Sequence, residues 1–324
     1  MHVSIYADGG ATIGYGHLVR TNALAKEAIK QGYKVTYLTS TPQTTEAVVS
    51  DEMDLIATER PEDTIEVLAS LNIDVLVTDS YDIDHKLQRQ LSKIVPKLAV
   101  VMDRHPHSIH CDILVNGNLY AETLEYKWTG SEPIWCLGPD YLLLREEVRQ
   151  YTNCEAPWRD PPESALVTMG GSDGENMTPK AIRAFNDTDL TVEVIVGPGF
   201  SNHSEIEIAA SEVNCDVVLV NDPNDLPARM FQSDLAVSAL GTTVYELLAT
   251  GTPFIGVQTA ANQALTASCL QERKLALVTE STTDAIACAL DHIHESAERR
   301  RIRKAASQLI TADSVTNVAE QVLP

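Results

Sequence analysis

Short apolar runs alternate with amphipathic stretches along the first half of the chain. The runs at 3–7, 34–38 and 75–78 have the length of buried strands, and apolar residues between them recur at the three- and four-residue spacing of helices. Further strands are expected at 97–102 and 112–115, and helices at 17–31, 62–71 and 85–94. This alternation is typical of an α/β fold with an open parallel sheet.

The alternation stops at 151–164 and then begins again. This segment, YTNCEAPWRDPPES, has three prolines and no apolar period, as linkers do. Beyond it we expect strands at 165–168, 191–196, 217–220, 235–237 and 253–257, and amphipathic helices at 294–309 and 313–322. The sequence therefore predicts two doubly wound Rossmann-like domains, 1–155 and 156–324. They should face each other across a cleft, with a ligand at the carboxyl ends of the strands.

Composition narrows the class of protein. The 324 residues suffice for two domains, and a hydrophobic content of 44% is that of a globular protein. A net charge of −22 weighs against nucleic acid or an anionic membrane as a partner, and the basic run at 298–304 is expected to be a solvated helix face. No apolar run has the length of a membrane span, and the six cysteines include no C-x-x-C pair. We expect a soluble, cytoplasmic protein; the sequence does not indicate an oligomeric state.

A glycine-rich turn follows the first strand. Gly10, Gly14 and Gly16 precede a helix expected to begin near His17, so that free N–H groups and the positive end of the helix dipole could hold a diphosphate. The same dipole favours a neutral His17 ring that can accept a proton. Arg20 lies three residues further on the same helix face and could reach the same anion. An ordinary strand-to-helix turn with a capping histidine is the alternative.

Two common phosphate loops do not fit this turn. The dinucleotide fingerprint needs G-x-G-x-x-G and an acidic residue closing the second strand, whereas here the spacing is Gly10-x-x-x-Gly14-x-Gly16 and that strand ends in Thr39-Ser40. The ATP-type loop needs Gly-Lys-Ser/Thr, which does not follow these glycines. A nicotinamide enzyme is therefore not expected.

The second half has three further turns at expected strand ends. Gly170-Gly171 follows the strand at 165–168, and Ser172 or Asp173 can cap the next helix. Two more turns carry Ser238, Ala239 and Leu240, with Glu246 in the following helix, and Asn262 and Gln263. Each could be an ordinary connection, but together they favour a phosphorylated ligand, with the Glu246 carboxylate accepting from ribose hydroxyls.

A group of histidines near Asp103 suggests zinc at first sight. His105 and His107 would lie on one side of an extended segment, but no second ligand pair of matching spacing occurs elsewhere. A metal-free loop is expected.

Taken together, the motifs resemble the PseG family of nucleotide-sugar hydrolases in pseudaminic acid biosynthesis, whose two-domain GT-B fold is shared with MurG glycosyltransferases. The match extends from residue 1 to about 280. The residues that carry it are Ala7-Asp8-Gly9-Gly10, Ile13-Gly14-Tyr15-Gly16-His17, Arg20, Asp79, Tyr81, Met102-Asp103, His110 to Asn116, Asn118, Tyr120-Ala121, Gly138, Tyr141, Leu144-Arg145-Glu146-Glu147, Met169 to Asp173, Ser238-Ala239, Glu246 and Asn262-Gln263.

The resemblance implies an activity and a set of site residues. It implies hydrolysis of a UDP-linked 2,4-diacetamido-2,4,6-trideoxyhexose to UDP and free sugar, with no metal or cofactor and with His17 as the base. The first domain would face the sugar and the second would hold UDP, with Glu246 at the ribose. The implied substrate-binding residues are Gly10, Ile13, Gly14, Gly16, Arg20, Asp79, Tyr81, Asp103, Asn118, Tyr120, Gly170, Gly171, Ser238, Ala239, Leu240, Glu246, Asn262 and Gln263.

The chain departs from the family pattern at two positions near the expected sugar site. Ser80 stands where a histidine is usual, and Arg104 stands where an acidic residue is common. Both departures concern the identity of the sugar and leave the reaction class unchanged. A GT-B glycosyltransferase that uses a UDP-sugar donor is the alternative function, because a fold does not fix an activity. A catalytically idle nucleotide-sugar binder is a third.

Overall fold

The computed structural model describes residues 1–10, 13–49, 52–103 and 108–323. The chain forms two compact units, one made of Met1–Arg145 with the C-terminal segment from Asp313, and the other of Glu146–Ala312. Each unit contains its own parallel sheet and hydrophobic core. The prediction of two α/β domains is confirmed.

The first unit contains a seven-stranded sheet in which every strand pairing is parallel. Its strands are β1 His2–Ala7, β2 Lys34–Thr39, β3 Asp54–Ala57, β4 Val75–Asp79, β5 Leu98–Val101, β6 Ile113–Asn116 and β7 Ile134–Leu137. Its first helices are α1 Gly16–Lys30, α2 Pro42–Val48, α3 Thr64–Ser70 and α4 His85–Leu91, with 3₁₀ turns at Pro61–Asp63, Ala121–Thr123 and Pro139–Tyr141.

The strand order β3-β2-β1-β4-β5-β6-β7 reverses direction between β1 and β4. At such a switch point the connections on the two sides lead away from each other and leave a crevice at the carboxyl ends of the strands. The chain passes from β1 into α1 and from β4 towards α4. The ends of these two strands are therefore where this sheet favours a ligand.

Apolar residues cover both faces of the central strands. Val3 and Ile5 on β1 pack in one core with Leu18 and Leu24 of α1, whereas Tyr6 packs in a second core on the opposite face. This two-sided burial explains why the central strands are near-continuous apolar runs in the sequence.

The second unit repeats the design with six parallel strands. They are β8 Ser164–Thr168, β9 Thr191–Val196, β10 Val217–Asn221, β11 Leu235–Ala239, β12 Phe254–Val257 and β13 Leu277–Thr279, in the order β10-β9-β8-β11-β12-β13. Its helices are α5 Glu146–Arg149, α6 Thr178–Ala184, α7 His203–Glu212, α8 Leu226–Gln232, α9 Thr243–Thr250, α10 Ala264–Glu272, α11 Thr283–His294 and α12 Ser296–Ser307, with a 3₁₀ turn at Ala261–Gln263. The switch point of this sheet lies between β8 and β11.

The last helix, α13 Ser314–Val322, belongs to the first unit. Its apolar face, which includes Val315, Val318 and Val322, is buried in the core that also contains Leu18. The Nδ2 of Asn317 donates to the backbone oxygen of Asp140 at 2.9 Å. The periodicity of this helix is readable in the sequence, but the core that it completes is not.

The observed division therefore differs from the sequence boundaries at two places. Residues 313–323 complete the first unit, although the second domain was expected to run to 324. Residues 146–155 belong to the second unit, where the ring of Tyr151 stacks on Phe231 with centroids 4.6 Å apart. The proline-rich composition that suggested a linker lies a few residues beyond the observed boundary.

The expectation of a solvated basic face at 298–304 is wrong for part of that run. The Arg299 side chain is fully buried, and the guanidinium groups of Arg299, Arg300 and Arg303 lie 4.6, 4.9 and 4.9 Å from the centroid of the Trp158 ring. Arg303 also donates to the backbone oxygens of Ala156 and Pro157. Cation–π contacts and these hydrogen bonds attach the proline-rich segment to α12. Within the described part of the chain, no helix is both long and apolar enough to cross a bilayer.

The backbone at Gly197 packs closely against the turn after β8, and replacement of Gly197 with alanine tests this packing. A Cβ at Gly197 would lie 2.7 Å from the backbone oxygen of Gly170 and 2.8 Å from that of Gly171. We expect Gly197→Ala to lower the free energy of unfolding by about 1–3 kcal/mol, because backbone atoms must move to admit the methyl group. Urea unfolding measures the change. Gly174→Ala is the matched control, since a Cβ there meets nothing within 4 Å. Equal stability of the two variants would contradict the close approach.

Candidate active site

Polar side chains gather at the carboxyl ends of β1, β4 and β5, which are adjacent in the first sheet. Asp8 follows β1, Asp79 is the last residue of β4, and Asp103 lies two residues beyond β5. The first turns of α1 bring His17 and Arg20 to the same place, where both contact Asp79. The site therefore lies at the switch point of the first sheet.

His17 and Asp79 form a buried pair. The His17 Nδ1 lies 2.7 Å from Asp79 Oδ1, and the two residues are only 5% and 1% exposed. An ionised carboxylate can only accept hydrogen bonds, so Nδ1 carries the hydrogen in this contact. The Arg20 Nη2 lies 3.0 Å from Nδ1, but it is also a donor and so cannot accept the Nδ1 hydrogen. Both donors point to the same acceptor, Asp79 Oδ1. A neutral His17 ring therefore has its free lone pair on Nε2.

Arg20 bridges two carboxylates. Its Nε and Nη2 donate to Asp79 Oδ2 and Oδ1, each at 2.6 Å, and its Nη1 donates to Asp103 Oδ2 at 3.0 Å. The guanidinium of Arg20, which was expected to bind a ligand anion, is paired with two protein anions in this structure. Bidentate pairing of this kind is the strong form of the arginine–carboxylate interaction.

The two carboxylates are held in their ionised form. Burial raises the pKa of Asp79, but the charge and hydrogen bonds of Arg20 outweigh burial and bring its pKa below the usual value. The pKa of Asp103 is lowered by the same balance, with the hydroxyl of Tyr81 contributing. For Arg20, burial lowers the pKa, and the two carboxylates more than reverse that effect. All three groups are therefore charged near neutral pH.

Two tyrosines fix the outer side of this cluster. The hydroxyl of Tyr81 donates to Asp103 Oδ1 at 2.7 Å, and its ring meets the His17 ring edge-on, with centroids 4.8 Å apart and an interplanar angle of 86°. The hydroxyl of Tyr120 donates to the backbone oxygen of Asp103 at 2.6 Å. Tyr120 is buried, whereas Tyr81 is 42% exposed. Of the two, Tyr81 is better placed to touch a ligand.

A pocket of about 250 Å³ opens beside His17. Its described lining is Asp8, Ile13, His17, Asp79, Ser80, Tyr81 and Asp82. The lining combines the imidazole with carboxylates, hydroxyls and one exposed isoleucine. It could place a small polar molecule against the proton-accepting ring.

The glycine-rich turn differs from the expected phosphate loop. Gly10 N–H donates to Gly14 O at 3.1 Å and Gly14 N–H donates to Gly10 O at 2.7 Å, so these two amides satisfy each other. Both glycines have positive φ, +149° and +89°, which other residues rarely adopt. Gly16 begins α1, one residue before the predicted start, and no side chain of the described residues caps that end. Gly10 and Gly14 thus shape the turn and do not offer their N–H groups to an anion.

Other candidates in the first unit take supporting positions. Asp79 was expected to face the sugar, but its carboxylate lies behind His17 and Arg20. Asn118 donates from Nδ2 to Asn116 Oδ1 at 2.7 Å at the end of β6. The structure thus brings together His17, Arg20, Asp79, Tyr81, Asp103 and Tyr120.

In the second unit, the candidates at the switch point lie close together. Gly170 and Gly171 follow β8, and Ser238 and Ala239 end β11, which pairs directly with β8. The predicted cap is confirmed for Asp173, whose carboxylate accepts from the backbone N–H groups of Met177 and Thr178 at 2.7 and 2.8 Å.

The four other candidates of the second unit either pack within it or lie partly exposed. Leu240 is buried, and a Cβ at Gly256 would meet its Cδ2, so its side chain packs inward. The Oε1 of Gln263 accepts from the N–H of Thr259 at 2.8 Å and holds the turn before α10. Glu246 is half-buried in the first turn of α9, and Asn262 is exposed.

Sequence reasoning missed the pairing of His17 with Asp79. The available signal was Asp79 itself, a charged residue that ends the otherwise buried strand VLVTD. A buried carboxylate needs a donor or a cation, and His17 and Arg20 were already candidates. The described residues contain no group of three or more His, Cys, Asp or Glu that could hold a metal; His105 and His107 lie outside them.

Sequence comparisons find curated relatives that are 23–26% identical to this chain. No family model matches it. It is 26% identical over 283 residues to a Campylobacter jejuni protein named UDP-2,4-diacetamido-2,4,6-trideoxy-beta-L-altropyranose hydrolase, covering 84% of this chain and 97% of that protein. The resemblance to this type of hydrolase is confirmed.

The spore coat polysaccharide biosynthesis protein SpsG of Bacillus subtilis is 26% identical over 294 residues, covering 86% of this chain and 83% of that protein. An uncharacterised protein of Methanocaldococcus jannaschii is 23% identical over 266 residues, which are 79% of this chain but 55% of that protein.

Solved structures confirm the fold. MurG of Acinetobacter baumannii superposes with a TM-score of 0.70 at 12% identity, over 99% of both chains. The calicheamicin glycosyltransferase CalG4 gives a TM-score of 0.67 at 14% identity, over 99% of this chain and 97% of that one. The architecture is GT-B. At these identities the likeness concerns the fold alone.

The paired carboxylates give stability a pH dependence that urea unfolding can measure. The lowered pKa of Asp79 and Asp103 means that their contribution is complete above the unfolded-state value of about 3.9 and is lost as pH falls through the folded-state values. We expect Asp79→Asn to cost about 3–5 kcal/mol at pH 7, because it leaves the Arg20 and His17 donors badly paired. The variant should also lose less stability than the wild type as pH falls below about 4.

Asp63→Asn is the control for this measurement. Asp63 pairs with Arg60 on the surface, where solvent screens the interaction. It should leave the stability and its pH dependence close to those of the wild type. An Asp79→Asn curve that parallels the wild-type curve across the acid range would contradict the proposed ionisation.

Proposed function

We propose that this protein hydrolyses a UDP-linked 2,4-diacetamido-2,4,6-trideoxyhexose to UDP and free sugar. The observation that carries the proposal is the His17–Asp79 pair beside a polar pocket. The pair leaves Nε2 of a neutral imidazole as the proton acceptor. The hydrolase name of the Campylobacter jejuni relative supports the reaction class. We place the reaction in pseudaminic-type nonulosonic acid or surface polysaccharide biosynthesis. The name of the Bacillus subtilis relative supports the polysaccharide setting.

His17 would act as a general base towards water. As the water oxygen attacks the anomeric carbon, the bond from that carbon to the UDP oxygen breaks, and UDP leaves with the electron pair. The water proton passes to Nε2, and the Asp79 carboxylate stabilises the imidazolium that forms. UDP is a good leaving group, so this scheme needs no acid to protonate it and no step through a metal.

The lining of the pocket suits the sugar part of this substrate. Asp8 and Asp82 supply carboxylates, which accept hydrogen bonds, and Ser80 and Tyr81 add hydroxyls. A diacetamido sugar offers N–H and O–H donors and has no negative charge. A sugar that carried a carboxylate would be repelled by the same lining.

The second unit would supply the nucleotide contacts. Gly170 and Gly171 lie at the turn after β8, and Glu246 lies in the first turn of α9. Turns of this kind can offer backbone N–H groups to phosphate, and a glutamate can accept from both ribose hydroxyls. Asn262 remains a candidate contact, and the amide nitrogen of Gln263 is the part of that side chain proposed to meet the ligand.

A glycosyltransferase is the second candidate, because solved structures with this fold include MurG and CalG4. The same imidazole could take a proton from an acceptor hydroxyl instead of from water. The two functions differ in whether the reaction needs an acceptor.

Incubation with UDP-diacetamido-sugars in the absence of an acceptor separates the two functions. We expect NMR to show equal amounts of UDP and free sugar. Release of UDP only after an acceptor is added would favour the transferase.

Replacement of His17 tests the role of the base. We expect His17→Ala to lower kcat by about 10²- to 10⁴-fold, the usual contribution of a general base, and to leave UDP binding by calorimetry unchanged. His203→Ala is the control, because His203 is an exposed histidine at the start of α7 in the other unit, and it should keep wild-type turnover. Turnover by His17→Ala at the wild-type rate would contradict the mechanism.

A further inference from the structure

Five side chains of the first unit form a closed cycle of contacts. His17 contacts Asp79, Asp79 accepts from Arg20, Arg20 donates to Asp103, and Asp103 accepts from Tyr81. The cycle closes where the Tyr81 ring meets the edge of the His17 ring at 4.8 Å. We call these five residues the Arg20 cluster. Arg20 Nη2 also lies 3.0 Å from His17 Nδ1, across the cycle.

Arg20 opposes the electrostatic effect of the Asp79 carboxylate on His17. A carboxylate behind a histidine helps catalysis by stabilising the imidazolium. Here, however, Arg20 makes two hydrogen bonds of 2.6 Å to that same carboxylate. A guanidinium so close cancels most of the field that Asp79 exerts on His17. An isolated His17–Asp79–Arg20 group would therefore be a poor support for a base.

Asp103 places a second negative charge beside Arg20. Its carboxylate contacts the free Nη1 of Arg20 at 3.0 Å, so that two negative charges face one positive charge. The net charge of Asp79, Arg20 and Asp103 is then −1, and removal of the Asp103 charge would leave this group neutral. Asp103 also holds the Tyr81 hydroxyl at 2.7 Å and with it the ring that packs against His17.

We propose that Asp103 is a positioning residue that acts through Arg20 to set the basicity of His17, rather than a ligand of the sugar. Its importance for catalysis rests on the proposed function, whereas its effect on the imidazole does not. This role of Asp103 differs from the sugar contact that the resemblance implied, and it follows from the contacts of Asp103 with Arg20 and Tyr81.

Other charged groups near His17 stay constant in the test. Asp8, after β1, and Asp82, after β4, line the same pocket as His17. Within the described residues, Arg20 is the charged partner that α1 itself provides, Asp79 comes from β4, and Asp103 follows β5. Substitutions at Arg20 and Asp103 therefore change the local charge in opposite directions while Asp8 and Asp82 remain.

The test is the titration of the His17 imidazole, followed by NMR in the full-length protein. The His17 signal is assigned by its loss in His17→Gln. We expect Asp103→Asn to move the titration midpoint down by about one pH unit and Arg20→Met to move it up by a similar amount. The double variant, which removes one charge of each sign, should return to within a few tenths of a unit of the wild type. Tyr81→Phe removes the hydrogen bond to Asp103 without changing a charge and should leave the midpoint in place.

The pattern of these shifts decides the proposal. Equal midpoints in wild type and Asp103→Asn, or shifts of the same sign in Asp103→Asn and Arg20→Met, would overturn it. If Arg20→Met does not fold, the comparison of Asp103→Asn with Tyr81→Phe still decides. Because the titration needs no substrate, opposite shifts in a protein without hydrolase activity would count against the proposed function and leave this inference standing. In an active enzyme, the acidic limb of the kcat/KM profile of Asp103→Asn should move to lower pH by the same amount.

Discussion

The carboxylate of Asp79 is the acceptor on which the first unit's polar site depends. It is 1% exposed and receives hydrogen bonds from His17 and twice from Arg20. A buried carboxylate without such donors would cost several kcal/mol of folding free energy. The same contacts that make its burial tolerable also fix the His17 ring and its tautomer. Structural stability and the chemistry of the imidazole therefore have one origin in this unit.

The sheet topology explains why this carboxylate meets these donors. β4 lies beside β1, and the chain leaves β1 through a tight glycine turn into α1. The pairing of Gly10 with Gly14 sets where α1 begins, so that its first turns lie over the end of β4. The second sheet has a switch point of the same kind between β8 and β11, but its candidates there are glycines, Ser238 and Ala239. Within each unit taken alone, the first presents ionisable side chains and the second presents turns.

The sequence predicted the architecture well because its central strands are buried on both faces. Apolar runs such as those of β1, β4, β8 and β11 are direct consequences of that burial. It predicted the edges less well: β3, β7 and β13 did not stand out, since all three strands are short and half-exposed at several positions. α13 was recognised as a helix, but only the folded chain shows which core its apolar face completes.

The site residues were also found in part. Glycine spacing and the position of His17 pointed to the correct end of the first sheet, and the resemblance to the hydrolases added Asp79, Tyr81 and Asp103. The partner of each side chain could not be read, because Arg20 and Asp79 are 59 residues apart in sequence. A sequence shows that an arginine and an aspartate are present, but it does not show whether the arginine faces a ligand or a neighbouring carboxylate. That choice depends on the distance between α1 and β4.

The most direct test of this account is the tautomer of His17. Nitrogen-15 NMR of histidine-labelled protein, at a pH where the ring is neutral, distinguishes a protonated Nδ1 from a protonated Nε2. The hydrogen bond to Asp79 predicts that Nδ1 carries the hydrogen and that Nε2 shows the chemical shift of an unprotonated nitrogen. A neutral His17 with its hydrogen on Nε2 would contradict the account, because the nitrogen proposed to accept the proton from water would then be occupied.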